Sequence, residues 1–283
     1  MSSPLTNWVI ALKPEAQPLI EQLNLKQAPG LSGGGFPVFQ NPENTDRLII
    51  SGVGKINAAA AVSWLGQFSE KWQAWINYGI AGHQSAGVGS VFRAGRITDQ
   101  ATGRSWYPTA VWPKKEDRFE VAEIMTVDRP TAVYPENAMI EMEASGFVST
   151  ALRFASSELI QVIKVVSDNE STNLTDLTPK SVRALSAEAI PAVIEWKTCL
   201  ESISKEEIAR LSNPEGWEST VEQFRFTETE KHILKRLISR AHTMEKFHSV
   251  EDWLKTQHVQ TGKGVIKSLE SLLSNTKSAE DRS

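Results

Sequence analysis

Short apolar runs, each cut off by glycine, proline or an acidic residue, recur along the chain up to about residue 202. Asn7 to Leu12 (NWVIAL) stops at Lys13-Pro14, the pattern of a strand leaving the core for a loop, and it leaves Glu15 in a strand-to-helix corner. RLIISGVGKINAAAAVSWLGQF repeats that logic: an apolar strand through Ile50, a glycine turn at Gly52 and Gly54, and an alanine-rich helix from about Ile56, together half of a βαβ unit. AWINYGIAGHQSAGVGS is a further strand that runs into glycine-rich backbone. Leu48 to Phe92 carries very few charges. Charge-poor strands separated by helices predict a central sheet covered on both faces.

Phe119 to Val127 alternates as a strand does, and Asp128-Arg129-Pro130 ends it. IEMEASGF, Ile140 to Phe147, begins as a buried strand and turns through small residues into a helix expected over about Ala144 to Phe154. ELIQVIKVVSDN is an apolar strand that stops on Ser167-Asp168-Asn169, and TPKSVRALSAEAIPAVIEWKTCLESI is a long amphipathic helix with a kink expected at Pro191. After about Ser202 acids and bases become frequent and balanced. There Thr227 and Glu230 form a capping box ahead of Ile233, Leu234, Leu237, Ile238 and Ala241 on one helical face, and GVIKSLESLL is a shorter helix of the same kind. The expected organisation is an α/β domain over residues 1–202 and a helical C-terminal extension over 203–283, fraying at SNTKSAEDRS.

The composition leaves this picture standing and removes several functions from it. A chain of 283 residues, 40% hydrophobic and 23% charged, is long enough for a sizeable core, and no run is long and apolar enough to cross a bilayer. The start MSSPLTNWVIALKPEAQ lacks a basic leader with an apolar block and cleavage site, so a cytoplasmic location is the expectation. Cys199 is the single cysteine, which excludes an internal disulfide and agrees with a reducing compartment. A net charge of −4 gives no electrostatic reason to expect nucleic acid, and the helices around Lys231 to Trp253 show no basic face. His232, His242, His248 and His258 have no spacing that sets ligands on one helix face, so no metal is expected.

Candidate chemistry lies elsewhere, each piece with a plainer alternative. SGVGKINAAA lacks the glycine spacing and Lys-Ser/Thr pair of a phosphate loop and the third glycine of a dinucleotide fingerprint, so it reads as a tight turn with Lys55 solvated. In NYGIAG the glycines let backbone approach a flat ligand, making Ala81 and Gly82 candidate contacts, or they serve packing alone. Asp168 closes a buried strand at the end where open α/β sheets bind ligands. Apolar surroundings there would keep a proton on it for donation to a leaving group; the alternative is a helix or loop cap. Glu141 and Glu143 fall on one face of their strand, either solvated or, given the adjacent small residues, closely packed.

ALKPEA, SGVGKINAAAA, INYGIAG, TVD, EMEASGF and VVSDN together, in this order and spacing, resemble the nucleoside phosphorylase and nucleosidase superfamily, and within it the methylthioadenosine/S-adenosylhomocysteine nucleosidases. The likeness covers about residues 7–202, and EMEA with the downstream SD is its most specific part. It implies a three-layer αβα sandwich around a mixed central sheet. It also implies hydrolysis of the N-glycosidic bond of a purine ribonucleoside or 5'-thio derivative, with no metal or organic cofactor, in a homodimer. By that likeness Glu15 activates water, Asp168 is the acid that protonates the purine ring, Met142 packs on the sugar, Glu143 accepts its vicinal hydroxyls and Glu141 supports them. Phosphorylases of the superfamily carry an arginine at the position of Asn77, which favours water over phosphate. Phosphorolysis and a non-catalytic nucleoside-binding protein are the alternatives. Ile80 replaces the serine usual after Gly79, and TVDRPTAVY replaces the family's segment with a base-stacking aromatic, leaving Tyr134 as the candidate to compensate.

Overall fold

The computed structural model describes residues 6–33, 35–108, 120–136, 138–172 and 177–274. The chain opens as β1 (Thr6–Ile10), α1 (Lys13–Gln22), β2 (Lys26–Gln27), β3 (Val38–Gln40), β4 (Asp46–Ile50) and α2 (Lys55–Gly66). It continues through β5 (Ala74–His83), β6 (Val91–Asp99), β7 (Ser105–Trp106), β8 (Glu120–Thr126), β9 (Ala138–Glu141), α3 (Ala144–Ala151) and β10 (Ile160–Asp168). α4 (Pro179–Leu211) follows and continues through Pro191. The fold is thus mixed α/β.

The sheet is mixed as well. β4, β1, β5 and β10 run parallel side by side, so their C-terminal ends share one edge. β6 pairs antiparallel with β10, β8 parallel with β6, β9 parallel with β8, and β9 antiparallel with β5. Those last pairings close a ring, β5-β9-β8-β6-β10 and back to β5. Closing the ring brings the end of β9 against the ends of β5 and β10, which sequence order alone does not suggest.

Local sequence explains where elements begin and stop. Pro14 sits in the first turn of α1, where its missing N–H removes no helical hydrogen bond. Gly54 precedes α2 with φ of 106°, a conformation that side chains disfavour. The helix expected to reach Phe154 ends at Ala151, where the Phe154 N–H bonds the Ala151 carbonyl and its ring packs tilted against Trp75, 6.0 Å between centroids. β5 and β10 are buried almost throughout, which is why their sequences are continuous rather than alternating. One apolar core includes Trp8, Leu48, Trp75, Ile97, Phe147, Val165 and Trp196.

The chain divides into two compact units between Ala209 and Arg210. The compositional change near residue 203 therefore lies inside α4, whose Ser204 is still buried and bonds the Trp72 carbonyl. The second unit contains α5 (Trp217–Gln223), α6 (Glu228–Thr243), α7 (Val250–Thr256) and α8 (Gly262–Ser274). It has its own core of Leu234, Leu237, Ile238, Ala241, Val250, Leu254, Val265, Leu269 and Leu273. The Thr227 capping box is formed: Glu230 N–H donates to Thr227 Oγ1 at 3.3 Å and Thr227 N–H to Glu230 Oε2 at 2.8 Å. α5 and α7, each only seven residues long, carry too little periodicity to be read from the sequence. The terminal segment expected to fray lies, from residue 275 on, outside the described residues. No helix among the described residues is long and apolar enough to cross a membrane.

Candidate active site

A cavity of about 150 Å³ opens at the shared C-terminal edge of the parallel strands. By the same measure roughly 10–15 Å³ admits one water, so this space suits a small organic molecule. Every site residue expected from the sequence lines it: Glu15, Ala81, Gly82, Glu141, Met142, Glu143 and Asp168. They come from four places in the fold: the exit of β1, and the ends of β5, β9 and β10.

Glu15 is held by two backbone donors, Leu12 N–H to Oε2 at 2.8 Å and Ile80 N–H to Oε1 at 2.9 Å. The first is its own helix start; the second crosses to β5. Gly79 makes the approach possible, since a Cβ there would stand 2.8 Å from Glu15 Oε1. Burial raises the Glu15 pKa to about 7, against the lowering effect of the Ile80 N–H and of Lys164. A carboxyl so placed exchanges its proton near neutrality, the property a general base for water requires.

Glu141 and Glu143 are both buried, so the solvated alternative is corrected: neither side chain faces solvent. They have different partners. Glu141 Oε2 accepts the N–H groups of Glu143 at 2.9 Å and Ala144 at 2.8 Å, and Oε1 accepts the Thr126 hydroxyl at 2.6 Å. Glu141 thereby fixes the turn from β9 into α3. Glu143 Oε1 accepts the Gly54 N–H at 2.9 Å. Burial raises its pKa, Lys164 opposes, and the nearby charge of Glu141 raises it further.

Lys164 joins the two. Its fully buried ammonium lies 2.9 Å from Glu141 Oε2 and 3.8 Å from Glu143 Oε2. Burial works against that charge, but Glu141 and Glu143 outweigh it and hold the pKa above the ordinary lysine value. The sequence reading missed Lys164, although a signal was present: one charge inside the apolar run VIKVV must find a buried partner.

Asp168 pairs in register with Gly82 across β5, just past a bulge in β10. Its Oδ1 accepts the Ser167 hydroxyl at 2.5 Å and its Oδ2 the Tyr134 hydroxyl at 2.6 Å. Lys55, expected from its turn to be solvated, is partly so, its side chain 23% exposed, and it is also ion-paired. It bridges Asp99 and Asp128, each at 2.8 Å, because the closed ring brings β6 and the segment after β8 next to the start of α2. Burial alone would raise the Asp99 pKa, but Lys55, Ser145 and Thr102 together bring it down to about 2. Asn77 is buried and donates to the Val9 carbonyl at 2.9 Å, bracing β5 against β1. Among the described residues no group of three or more histidine, cysteine or acidic side chains is placed to hold a metal ion.

No protein-family model matches the chain, and no curated protein matches it. Solved structures do. The chain is similar to the 5'-methylthioadenosine/S-adenosylhomocysteine nucleosidase of Neisseria meningitidis, solved with methylthio-immucillin-A, at 22% identity over 68% of this chain and 99% of that one, with a TM-score of 0.51. It is similar to the enzyme of Colwellia psychrerythraea 34H in complex with adenine, at 19% identity over 71% and 95%, TM-score 0.52. It is also similar to the 5'-methylthioadenosine nucleosidase of Arabidopsis thaliana in apo form, at 16% identity over 75% and 98%, TM-score 0.52. Over roughly 68–75% of its length the chain thus adopts the fold of the methylthioadenosine/S-adenosylhomocysteine nucleosidases.

Proposed function

We propose that this protein hydrolyses the N-glycosidic bond of a purine ribonucleoside or its 5'-thio derivative to free base and sugar. One observation carries the reading: Glu15, Glu143 and Asp168, from three separate elements, line one cavity in a nucleosidase fold. Cleaving an N-ribosidic bond develops positive charge on the sugar and negative charge on the departing base. Asp168 is the acid at the base, Glu143 the anionic acceptor for the sugar hydroxyls, and Met142 the apolar contact beneath the sugar. Glu15 takes the proton of the attacking water, and Glu141 positions Glu143 through its backbone N–H. Ala81 and Gly82 supply the flat backbone wall.

Water rather than phosphate fits the electrostatics. Among the described residues lining the cavity there is no arginine or lysine, while four carboxyl side chains face or flank it. A phosphate dianion there would meet repulsion with no cation at its surface. We assign this chemistry to the unit ending at Ala209 and read the helices beyond it as an extension to an αβα domain. A homodimer working in the cytoplasm, on a small nucleoside and without nucleic acid or membrane, completes the reading.

The test is chromatographic detection of free base after incubating the purified protein with purine and pyrimidine nucleosides, including 5'-methylthioadenosine, with and without phosphate. Base release that needs no phosphate and is abolished by Asp168→Asn is the expected result. Release only with phosphate would replace hydrolysis by phosphorolysis, and tight binding without release would make the protein a nucleoside-binding module.

A further inference from the structure

Each oxygen of Asp168 already accepts one hydroxyl. Oδ1 takes the hydroxyl of Ser167 at 2.5 Å, and Ser167 is fixed on the same strand with its oxygen 3.3 Å from the Ala81 carbonyl. Oδ2 takes the hydroxyl of Tyr134 at 2.6 Å. The phenol is the donor in this bond: burial, and next the Asp168 carboxylate, push its pKa above the ordinary tyrosine value, so it stays protonated.

The approach of Tyr134 is built into the fold. Its ring lies over Gly82, where a Cβ would stand 2.6 Å from Tyr134 Cε1 and 2.8 Å from Asp168 Oδ2. The segment that carries it is fixed at its start, by Val127 N–H to the Glu141 carbonyl at 2.8 Å and by Asp128 to Lys55 at 2.8 Å. It then passes Pro130 and Thr131, both on the cavity wall, and the neighbouring Val133 is 78% exposed. No core contact of Val133 therefore opposes movement of this stretch.

We propose that Tyr134 sets which ligands the site accepts: its phenol occupies the Asp168 oxygen that a base must use, so a base binds by displacing it. The inference rests on the nucleosidase reading of Asp168 and adds a residue and a selection rule to it. A ligand must replace a charge-assisted hydrogen bond with one at least as good. A purine ring nitrogen does so when the Asp168 carboxyl takes up a proton from solvent as Tyr134 departs and shares that proton with the nitrogen. A ligand that leaves Oδ2 without a partner does not, and is rejected because the buried carboxylate would lose its donor.

The experiment measures calorimetric affinity for adenine, and the kinetics of base release from 5'-methylthioadenosine, in the wild type and in Tyr134→Phe and Tyr134→Leu. Removing the hydroxyl leaves Oδ2 waiting for the ligand, so both variants should bind adenine about tenfold more tightly or better. KM should fall, with the change in kcat the smaller of the two; a merely structural tyrosine would not tighten binding. Equal or weaker adenine binding in both variants overturns the proposal, as does absence of binding in all three proteins. Binding by the variants alone supports it in its strongest form. If the wild type binds adenine yet releases no base, the hydrolytic reading fails while the affinities still decide the role of Tyr134.

Discussion

Lys164 Nζ stands 2.9 Å from Glu141 Oε2, with both side chains withdrawn from solvent. The pair joins β10 to the end of β9, and Glu141 in turn receives the N–H groups that open α3. A buried charge without its partner is strongly destabilising. Lys164→Met should therefore lower the unfolding free energy by about 3–5 kcal/mol in denaturant titrations. Adding Glu141→Gln should recover part of the loss. A loss under about 1 kcal/mol would mean that the ammonium is not what holds β10 to the end of β9.

Glu15 couples stability to pH in the sense opposite to a salt-bridged carboxylate. Its pKa is 4.5 for the free side chain and about 7 in the fold. Between those values the unfolded chain has released a proton that the folded one keeps, so stability falls as pH rises, and above about 7 the full penalty is present. The shift corresponds to a cost on the order of 3 kcal/mol. Relative to wild type, Glu15→Gln should gain roughly that much between acidic conditions near pH 4 and about pH 8. Urea titrations at both ends check it, and a variant whose offset is the same at each would show that Glu15 is not held protonated. Wild-type base release should rise with pH through the same interval, because the deprotonated form is the base.

Glu143 has one oxygen on the Gly54 N–H and belongs to the sugar in the proposed reaction. Charge-assisted hydrogen bonds contribute roughly 1.5–3 kcal/mol each, about tenfold or more in binding. The wild type should therefore prefer a ribonucleoside to its 2'-deoxy counterpart by at least about tenfold in kcat/KM, and Glu143→Gln should erase most of that preference. Comparing the two substrates in both proteins is the check; an unchanged ratio would move the sugar site elsewhere.

Gly146 explains the small residues that follow EMEA. A Cβ at this position would lie 1.9 Å from the Lys55 carbonyl oxygen and 2.6 Å from its carbonyl carbon, both backbone atoms. α3 and α2 touch there, so Gly146→Ala must push the two helices apart, at a cost of about 1–3 kcal/mol or more. Because Gly54 adjoins Lys55 and donates to Glu143, activity should fall along with thermal stability. Full activity with a lowered melting temperature would separate helix packing from the site.

Much of this was open to reading because it is local. The runs ending at Lys13-Pro14, at Ile50 and at Asp168 are strands because buried apolar backbone must be paired. The Thr227 capping box declared a helix start in four residues, and the order of EMEA and SD marked the carboxyls that line the cavity. α5 and α7 were too short for periodicity to register. Alternation set Glu141 and Glu143 on one face, and it could not say that the face is inside. That depends on β9 pairing with both β5 and β8, a long-range event that no neighbouring residue encodes.

The sequence by itself determined the apolar strands of the core and the longer helices, and which carboxyls are present at their ends, since period, turn chemistry and capping act over a few residues. Tertiary structure alone decided who meets whom. Closing the ring put Lys164 beneath Glu141 and Glu143, drew Lys55 between Asp99 and Asp128, and laid Tyr134 on Asp168. Those contacts set which partner each group has in the site. Electrostatics between side chains reaches through space and not along the chain, so the chemistry of the site belongs to the fold.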